Sequence, residues 1–248
     1  MTELRLTKSE LERYSRQILI DSWGIEGQLK LKSSSVAVVG VGGLGCVSST
    51  YLAAAGVGKL RLIDKDKTSL SDLNRQVLYT QSDIGQFKAE TAKRKLEALN
   101  PEVKVEAVLE DVTEDNVPTV IGKINVIVDG LDNWKTRFTV NEYCVKNHTP
   151  FVHAGVSQLY GQITTVISGR GPCLRCIFPQ GPKETKVNPI FGGTPSTLAS
   201  LQAAEAVKIL TGIGKPLVGR MLFVDAEEMT IETAEIKKNP NCAVCSSI

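Results

Sequence analysis

Short apolar runs alternate with helical patterns along the first 155 residues. The apolar, largely β-branched runs predict strands over residues 36–39, 59–63, 103–109, 125–128 and 151–154. The stretches before and between them predict helices over residues 7–20, 44–55, 83–99 and 133–147, the first of them charged and amphipathic. This β-α-β order predicts the α/β class with a doubly wound, mostly parallel sheet.

The pattern changes after about residue 155. Residues 162–167, 220–224 and 229–234 predict strands in a more antiparallel arrangement, and residues 198–210 predict a helix. Residues 179–195 contain four prolines and predict a long crossing loop, of a length that is uncommon unless the loop is functional. No repeat or linker divides the chain, so we expect a single domain over residues 1–248.

The composition is that of an ordinary globular protein, with 42% hydrophobic and 23% charged residues. Basic and acidic side chains number 29 and 27, so the near-neutral charge does not support general attraction to nucleic acid or to an anionic membrane. The most apolar stretch, residues 36–58, contains six glycines and predicts buried core and not a membrane span. We therefore expect a cytoplasmic protein with reduced thiols, no membrane segment and no nucleic-acid partner.

A glycine-rich turn follows the first predicted strand and opens the next helix. Its glycines are Gly40, Gly42, Gly43 and Gly45. Asp64 lies nineteen residues beyond Gly45, at the end of the second strand, where an acid accepts hydrogen bonds from ribose hydroxyls. This combination predicts nucleotide binding at a helix N-terminus, with tight strand-to-helix packing as the alternative. It does not separate NAD from ATP.

Polar residues that suit a triphosphate follow within 25 residues of Asp64. They are Asp66, Asn74, Arg75, Gln76 and Lys88. Arginine offers phosphate oxygens a planar fork and lysine a compact charge, whereas an oxidoreductase needs no such set beside its phosphate turn. Asp132 follows the strand at 125–128 and is expected at the same sheet edge, where a carboxylate can hold Mg²⁺. Each residue alone also fits a solvated surface, but their joint placement favours ATP.

Four of the six cysteines form two Cys-x₂-Cys pairs, Cys173 with Cys176 and Cys242 with Cys245. Four thiolates in two such pairs predict a closed, structural Zn²⁺ site, with a redox dithiol as the alternative. Cys144 is predicted to lie in the core. We also expect Cys46 to be a packing residue, although a helix N-terminus can favour its thiolate.

Several motifs now combine into a family pattern. They are Arg13-Tyr-Ser-Arg16-Gln17, Gly40 to Gly45, Asp64-Lys-Asp66, Asn74-Arg75-Gln76, Gly85-Gln-Phe-Lys88, Asp129-Gly-Leu-Asp132-Asn133, Pro172-Cys-Leu-Arg-Cys176, residues 201–208 and Asn239-Pro-Asn-Cys242. Over nearly its whole length the sequence resembles the MoeB/ThiF proteins, prokaryotic relatives of ubiquitin-activating enzymes. The resemblance implies a Rossmann-like fold and a homodimer that uses ATP and Mg²⁺. It also implies adenylation of the C-terminal glycine of a small ubiquitin-like (β-grasp) sulfur carrier ending in Gly-Gly.

The resemblance also implies residue roles. Asp64 would bind ribose, Arg75 and Lys88 the phosphates, and Asp132 the Mg²⁺, while Arg16 would reach the partner subunit's ATP. Further nucleotide contacts would come from Asp66, Asn74, Gln76 and Asn133. Residues 1–155 would then be the nucleotide-binding half and residues 156–248 the half that binds carrier and zinc. The carrier and its pathway stay open.

One departure from the family pattern concerns the crossing loop, where many relatives carry an additional cysteine. No cysteine occurs between Ile177 and Asn241, and Thr185 occupies that neighbourhood. A hydroxyl is a far weaker nucleophile than a thiolate at neutral pH. We therefore predict adenylation without a thioester in this loop, and we expect His148 and His153 to be structural. The alternatives are a NAD-dependent oxidoreductase and a non-catalytic scaffold.

Overall fold

The structure is a computed structural model that describes residues 5–182 and 188–247. Its strands are β1 Ser35–Val39, β2 Lys59–Ile63, β3 Lys104–Val108, β4 Val126–Asp129, β5 Phe151–Ser157, β6 Tyr160–Val166, β7 Arg220–Asp225 and β8 Thr230–Glu235. Its helices are α1 Lys8–Arg13, α2 Ser15–Ile18, α3 Gly24–Lys32, α4 Gly45–Ala55, α5 Lys88–Leu99, α6 Val117–Ile121, α7 Trp134–Lys146, α8 Leu174–Ile177 and α9 Gly193–Thr211. Thr185 lies outside the described residues.

The strands form one eight-stranded sheet in the order β3-β2-β1-β4-β5-β6-β7-β8. The first five strands of that order pair in parallel, whereas β5 to β8 pair antiparallel, which confirms the predicted fold class. Val39 at the end of β1 lies opposite both Ile63 and Asp129, the last residues of β2 and β4. Three strands therefore end level, and the loops that follow them meet at one edge.

Helices cover both faces of the parallel strands. Val36 and Val38 of β1 join the core that includes residues of α4, α5 and α9, whereas Ala37 and Val39 join the core that includes residues of α6, α7 and α8. A strand buried on both faces needs a continuous apolar run, which is why β1 was visible in the sequence. The outer strand β8 differs, because all six of its residues are exposed.

The prediction of one continuous N-terminal helix over residues 7–20 is wrong. A capping box between Thr7 and Glu10 begins α1, but the chain breaks at Tyr14 before α2. The Tyr14 side chain is buried against Gly56, and its hydroxyl accepts a 2.9 Å hydrogen bond from Asn100 Nδ2. This tertiary contact overrides the local pattern. Helices α3, α6 and α8 were not predicted.

Two other helices begin at different residues from those predicted. The helix predicted from residue 83 begins at Lys88, because the Asp83 carboxylate accepts a 2.7 Å hydrogen bond from the Thr80 N–H and closes a 3₁₀ turn. Helix α9 begins at Gly193, five residues before the predicted start. Pro195 lies in its first turn, where a missing N–H costs no hydrogen bond. The crossing loop therefore ends before residue 195.

Among the described residues, no helix is both long enough and apolar enough to cross a membrane. Strand β5 runs through residue 155, so the predicted division at this position is not a break in the sheet.

Candidate active site

Three glycines pack against one another where the glycine-rich turn leaves β1. A Cβ atom on Gly45 would lie 1.9 Å from the Gly40 carbonyl oxygen, and one on Gly130 would lie 2.1 Å from the same atom. Gly40 also has a φ of +85°, which favours glycine. Around Gly42 and Gly43, by contrast, a Cβ would meet nothing closer than 3.4 Å. Packing thus requires Gly40 and Gly45, while Gly42 and Gly43 leave the turn open to a ligand.

The Asp64 carboxylate is fixed beside this turn. Its Oδ2 accepts a 2.8 Å hydrogen bond from the Val41 N–H, and its Oδ1 accepts one of the same length from the Asp66 N–H. Burial raises the pKa of Asp64, while these two N–H groups and nearby Lys88 oppose the rise. Each oxygen keeps a lone pair that can accept a further hydrogen bond, as the predicted ribose contact requires.

A buried carboxylate that sequence reasoning missed organises the phosphate-binding candidates. Asp72 Oδ1 lies 3.3 Å from Arg75 Nη2 and 2.9 Å from Gln76 Nε2. Its Oδ2 lies 3.5 Å from Lys88 Nζ and accepts hydrogen bonds from the N–H and hydroxyl of Ser69. The structure therefore brings Arg75, Gln76 and Lys88 together around one anion.

These contacts decide the charge state of Asp72. Burial alone would raise its pKa, but the Ser69 hydrogen bonds and the positive charges of Lys88 and Arg75 hold the pKa below its ordinary value. The sequence did contain a signal, since Ser69 and Asp72 have the spacing of a capping box.

The other members of this polar set differ in accessibility. Asn74 is exposed, and its Oδ1 accepts a 3.0 Å hydrogen bond from Arg75 Nη1. Asp66 is mostly exposed, with Oδ2 3.9 Å from Lys88 Nζ. Gln76 is buried, and its Oε1 has no hydrogen-bond partner among the described residues. That oxygen can accept from a bound ligand or water.

Tyr79 joins the glycine-rich turn to α5. Its hydroxyl donates to the Val41 carbonyl at 2.8 Å and lies 3.3 Å from the carbonyl of Lys88. The first turn of α5, which carries Lys88, is thereby held against the loop that fixes Asp64. No sequence pattern identified this residue.

Asp132 lies on the loop that joins β4 to α7, next to the glycine-rich turn. The backbone nitrogen of Leu131 would be 3.1 Å from a Cβ on Gly40, so this loop touches the turn directly. Asp132 is exposed and has no hydrogen bond or ion pair with any described residue. Asn133 has a structural role, because its Oδ1 accepts a 2.9 Å hydrogen bond from the Thr136 N–H and caps α7. Asp132 thus offers an unengaged carboxylate at the predicted metal position.

The structure does not bring Arg16 to the site of its own chain. Its neighbour Gln17 donates a 2.8 Å hydrogen bond from Nε2 to the carbonyl of Ala55, at the end of α4 opposite Gly45. Eleven residues at about 1.5 Å per residue make α4 roughly 17 Å long. Arg16 is exposed and has no partner among the described residues.

The two cysteine pairs meet, as their spacing predicted. The Sγ atoms of Cys173 and Cys242 lie 3.7 Å apart, those of Cys176 and Cys245 lie 3.3 Å apart, and all four lie within 4.8 Å of one another. Tetrahedral zinc with bonds of about 2.3 Å needs sulfur atoms roughly 3.8 Å apart. The donor set and its spacing therefore fit Zn²⁺.

The remaining two cysteines are buried. Burial raises the pKa of Cys46 to about 11 and raises that of Cys144 well above its ordinary value. Both thiols are therefore protonated at neutral pH, which supports the prediction that they pack in the core.

Comparison with known proteins identifies the family. The sequence model of the ThiF family matches residues 14–244. The chain belongs to the ThiF family. The resemblance found in the sequence motifs is thereby confirmed.

Two ThiF-family relatives align with almost the entire chain. The sulfur carrier protein adenylyltransferase of Thermus thermophilus is 42% identical over 98% of this chain and 93% of its own length. The SAMP-activating enzyme E1 of Haloferax volcanii is 43% identical over 98% of this chain and 91% of its own length.

The fold is also shared with solved structures. The crystal structure of E. coli MccB with ATP superimposes with a TM-score of 0.86 over 95% of this chain and 75% of that chain, at 27% identity. The match extends the ThiF-family likeness to a protein crystallised with the predicted nucleotide.

Proposed function

We propose that this protein is an ATP-dependent adenylyltransferase that activates the C-terminal glycine of a small ubiquitin-like sulfur carrier. One observation carries the proposal: Asp72 gathers Arg75 and Lys88 beside the open glycine-rich turn, at the edge where Asp64 and Asp132 also lie. The relatives named as a sulfur carrier protein adenylyltransferase and an activating enzyme E1 support the same reaction.

The proposed chemistry matches the side chains available. A free carboxylate is a poor acyl donor, so the carrier's terminal carboxylate attacks the α-phosphorus of ATP and displaces pyrophosphate to give an acyl-adenylate. The carboxylate is already ionised at neutral pH, so the step needs no general base. The site has to hold two anions together and neutralise charge that develops on the phosphates.

Each role follows from the position of the side chain. Asp64 accepts hydrogen bonds from the ribose, while Arg75 and Lys88 bind phosphate oxygens. Three carboxylates, Asp64, Asp66 and Asp72, lie close to these two cations. The positive charge of the protein alone therefore does not neutralise the negative charge of a triphosphate. Mg²⁺, when bound, would supply the missing positive charge on the phosphates, and the exposed, unengaged carboxylate of Asp132 supports the proposal that this residue would hold it.

We further propose that the protein acts as a homodimer. Arg16 lies at the far end of α4 from its own nucleotide site, which supports a role at the partner subunit's nucleotide. The site would then be complete only when two copies associate. In this proposal residues 156–248 bind the carrier, and zinc at the four cysteines is structural, because four sulfur ligands leave no open position.

A covalent thioester is not part of the proposed reaction. Cys46 and Cys144 are buried with raised pKa values, and the sequence has no cysteine between Ile177 and Asn241. The acyl-adenylate is then the activated form of the carrier that sulfur transfer would use.

If the protein were a NAD-dependent oxidoreductase, NADH would stabilise its fold and ATP with Mg²⁺ would not. The non-catalytic scaffold predicts no turnover at all. The site gives no support to either, because the charged set around Asp72 suits a triphosphate.

The deciding experiment is ATP–pyrophosphate exchange with candidate β-grasp carriers that end in Gly-Gly. We expect exchange that depends on the carrier, is lost when the terminal glycine is deleted, and is abolished by Asp132→Ala. Absence of exchange with every cognate carrier would overturn the proposal.

A further inference from the structure

A buried arginine lies directly beneath the loop that carries Asp132. Arg137 is the fourth residue of α7, and helical side chains point back towards the N-terminus of their helix. Its guanidinium therefore extends under residues 130–133, where it is almost fully buried. The proposed reaction gives this residue no direct part.

The guanidinium connects three elements at once. Arg137 Nε donates to Asp129 Oδ2 at 2.9 Å, and Nη2 donates to the carbonyls of Leu131 and, at 3.2 Å, Ala154. Asp129 ends β4, Leu131 precedes Asp132 in the loop, and Ala154 lies in β5. One planar fork thus fastens the loop to two strands of the sheet.

The Asp129 carboxylate completes the network from the other side. Its Oδ1 accepts a 2.9 Å hydrogen bond from the Leu131 N–H, and its Oδ2 lies 2.6 Å from His153 Nδ1. Burial lowers the pKa of His153 despite the nearby carboxylate, so the neutral ring donates its Nδ1 proton. Asp129 and Arg137 then balance each other's charge inside the protein.

The fastened loop is the one that touches the glycine-rich turn. Leu131 is held through both its N–H and its carbonyl, by Asp129 and Arg137 respectively. The two residues on either side of it are Gly130, which packs on Gly40, and Asp132. Any movement of the Leu131 peptide groups would move the Asp132 carboxylate relative to the turn.

We propose that Arg137 is a positioning residue that holds Asp132 where its carboxylate can hold the metal ion of the bound nucleotide. This inference rests on the proposed function. Arg137 touches neither substrate nor metal in this assignment, and it acts through the Leu131 carbonyl and Asp129.

Arg137→Lys is the informative variant, because it keeps the buried positive charge but a lysine lacks the planar fork that spans these acceptors. We expect the Mg²⁺ concentration for half-maximal pyrophosphate exchange to rise at least about tenfold, as for other groups that support a metal ligand. Binding of ATP without Mg²⁺ should change less than about twofold. The matched control is Arg220→Lys, since Arg220 donates to the Pro216 carbonyl and not to this loop.

A double-mutant cycle separates positioning from general destabilisation. If Arg137 acts through Asp132, adding Arg137→Lys to Asp132→Asn should not change the Mg²⁺ dependence of the residual exchange any further. If the Asp132→Asn variant shows no exchange, the same comparison is made on Mg²⁺-dependent nucleotide binding. Additive effects, or an unchanged Mg²⁺ requirement in the single variant, would overturn the inference.

If Arg137→Lys does not fold, as judged by near-ultraviolet circular dichroism, Asp129→Asn combined with Arg137→Gln replaces it. This pair removes both buried charges together, and the same rise in Mg²⁺ requirement is expected. An unchanged requirement there would also overturn the inference. Failure of the proposed function is distinguishable, because the unaltered protein would then show no exchange.

Discussion

The Nζ atom of Lys88 lies 3.5 Å from Oδ2 of Asp72, and both side chains are largely buried. The protein therefore supplies its own anion to a lysine that is proposed to bind phosphate. A bound triphosphate would therefore be repelled by the Asp72 carboxylate as well as attracted by the neighbouring positive charges.

Asp72→Asn is expected to tighten nucleotide binding by about tenfold. A phosphate charge on the far side of Lys88 would lie roughly 6 Å from Asp72, where repulsion is about 2–3 kcal/mol at an effective dielectric constant of 20. The asparagine side chain keeps an oxygen that can accept a hydrogen bond from Lys88 or Arg75, so the lost ordering of these cations costs about 1 kcal/mol and the loss of repulsion dominates. Calorimetric titration with a non-hydrolysable ATP analogue and Mg²⁺ measures the change.

Asp66→Asn is the comparison for this prediction. It removes the same charge at a mostly exposed side chain 3.9 Å from Lys88, where solvent screens the interaction. A smaller change is expected there. Weaker binding by the Asp72 variant would show that ordering of the cations outweighs repulsion.

Mixed dimers test the proposed role of Arg16 in the partner's site. Arg16→Ala and Asp132→Ala subunits carrying different tags should each be inactive as homodimers, yet a purified heterodimer should regain one complete site. Its exchange rate should be about half that of the unaltered dimer, since one of two equivalent sites works.

Arg13→Ala is the matched control, because Arg13 lies on the adjacent helix but donates to the carbonyl of Leu99 in its own chain. It should keep exchange activity. An inactive heterodimer would contradict the trans arrangement.

Zinc removal should destabilise the fold without removing the nucleotide site. Cys242→Ser is expected to abolish binding of one Zn²⁺ per chain and to lower the melting temperature by about 10 °C, the equivalent of roughly 3 kcal/mol or more. Metal content by mass spectrometry and thermal unfolding give the two measurements. Cys144→Ala, outside the cluster, should keep the metal; loss of ATP binding on zinc removal would contradict a purely structural role.

The Asp83 carboxylate predicts a pH dependence of stability. Burial alone would raise its pKa, but hydrogen bonds from Lys95 and Thr80 hold the pKa far below the ordinary value near 3.8. A depressed carboxyl pKa stabilises the folded state above the unfolded-state pKa, and this contribution is lost as the pH falls below about 4.

Asp83→Asn should therefore cost about 2–3 kcal/mol of unfolding free energy at pH 7, as expected for hydrogen bonds to a charged group. The difference from the unaltered protein should shrink at pH 3, and urea unfolding at both pH values measures it. Asp111→Asn removes a carboxylate whose ion pair with Lys65 is exposed, so about 0.5 kcal/mol or less is expected. Equal losses of unfolding free energy in the Asp83→Asn and Asp111→Asn variants would contradict the assignment of the pH dependence to Asp83.

The absence of a thioester step can be tested directly. Incubation with ATP, Mg²⁺ and carrier should give no thiol-sensitive adduct of carrier and enzyme on a non-reducing gel. Cys46→Ala with Cys144→Ala should keep exchange activity, because neither buried thiol reacts. A thiol-sensitive adduct that these substitutions remove would disprove the prediction.

The parallel core could be predicted from the sequence because its strands carry a local signal. Val36 to Val39 are apolar throughout, since one set of side chains packs under α4 and the other against α7. The break at Tyr14 could not be predicted, because it depends on Gly56 and Asn100, which are distant in sequence. The helical periodicity of the sequence alone favours one continuous helix over residues 7–20.

The site shows the same division. Asp64 was predicted because it directly follows a strand at a known spacing from a glycine-rich turn. Asp72 and Arg137 were not, because their partners come from other segments and an isolated acid or arginine is usually solvated. The residues proposed to bind a ligand could therefore be predicted from local sequence patterns, whereas the residues that hold them in place could not.

The exposed edge strand β8 has a consequence for the protein at high concentration. Its outer edge has no strand partner among the described residues, and such an edge can pair with another copy. Glu232 and Glu235 place negative charge on this edge, so two copies that approach through it repel each other. Salt screens that repulsion. The tendency to self-associate through β8 should therefore rise in concentrated salt.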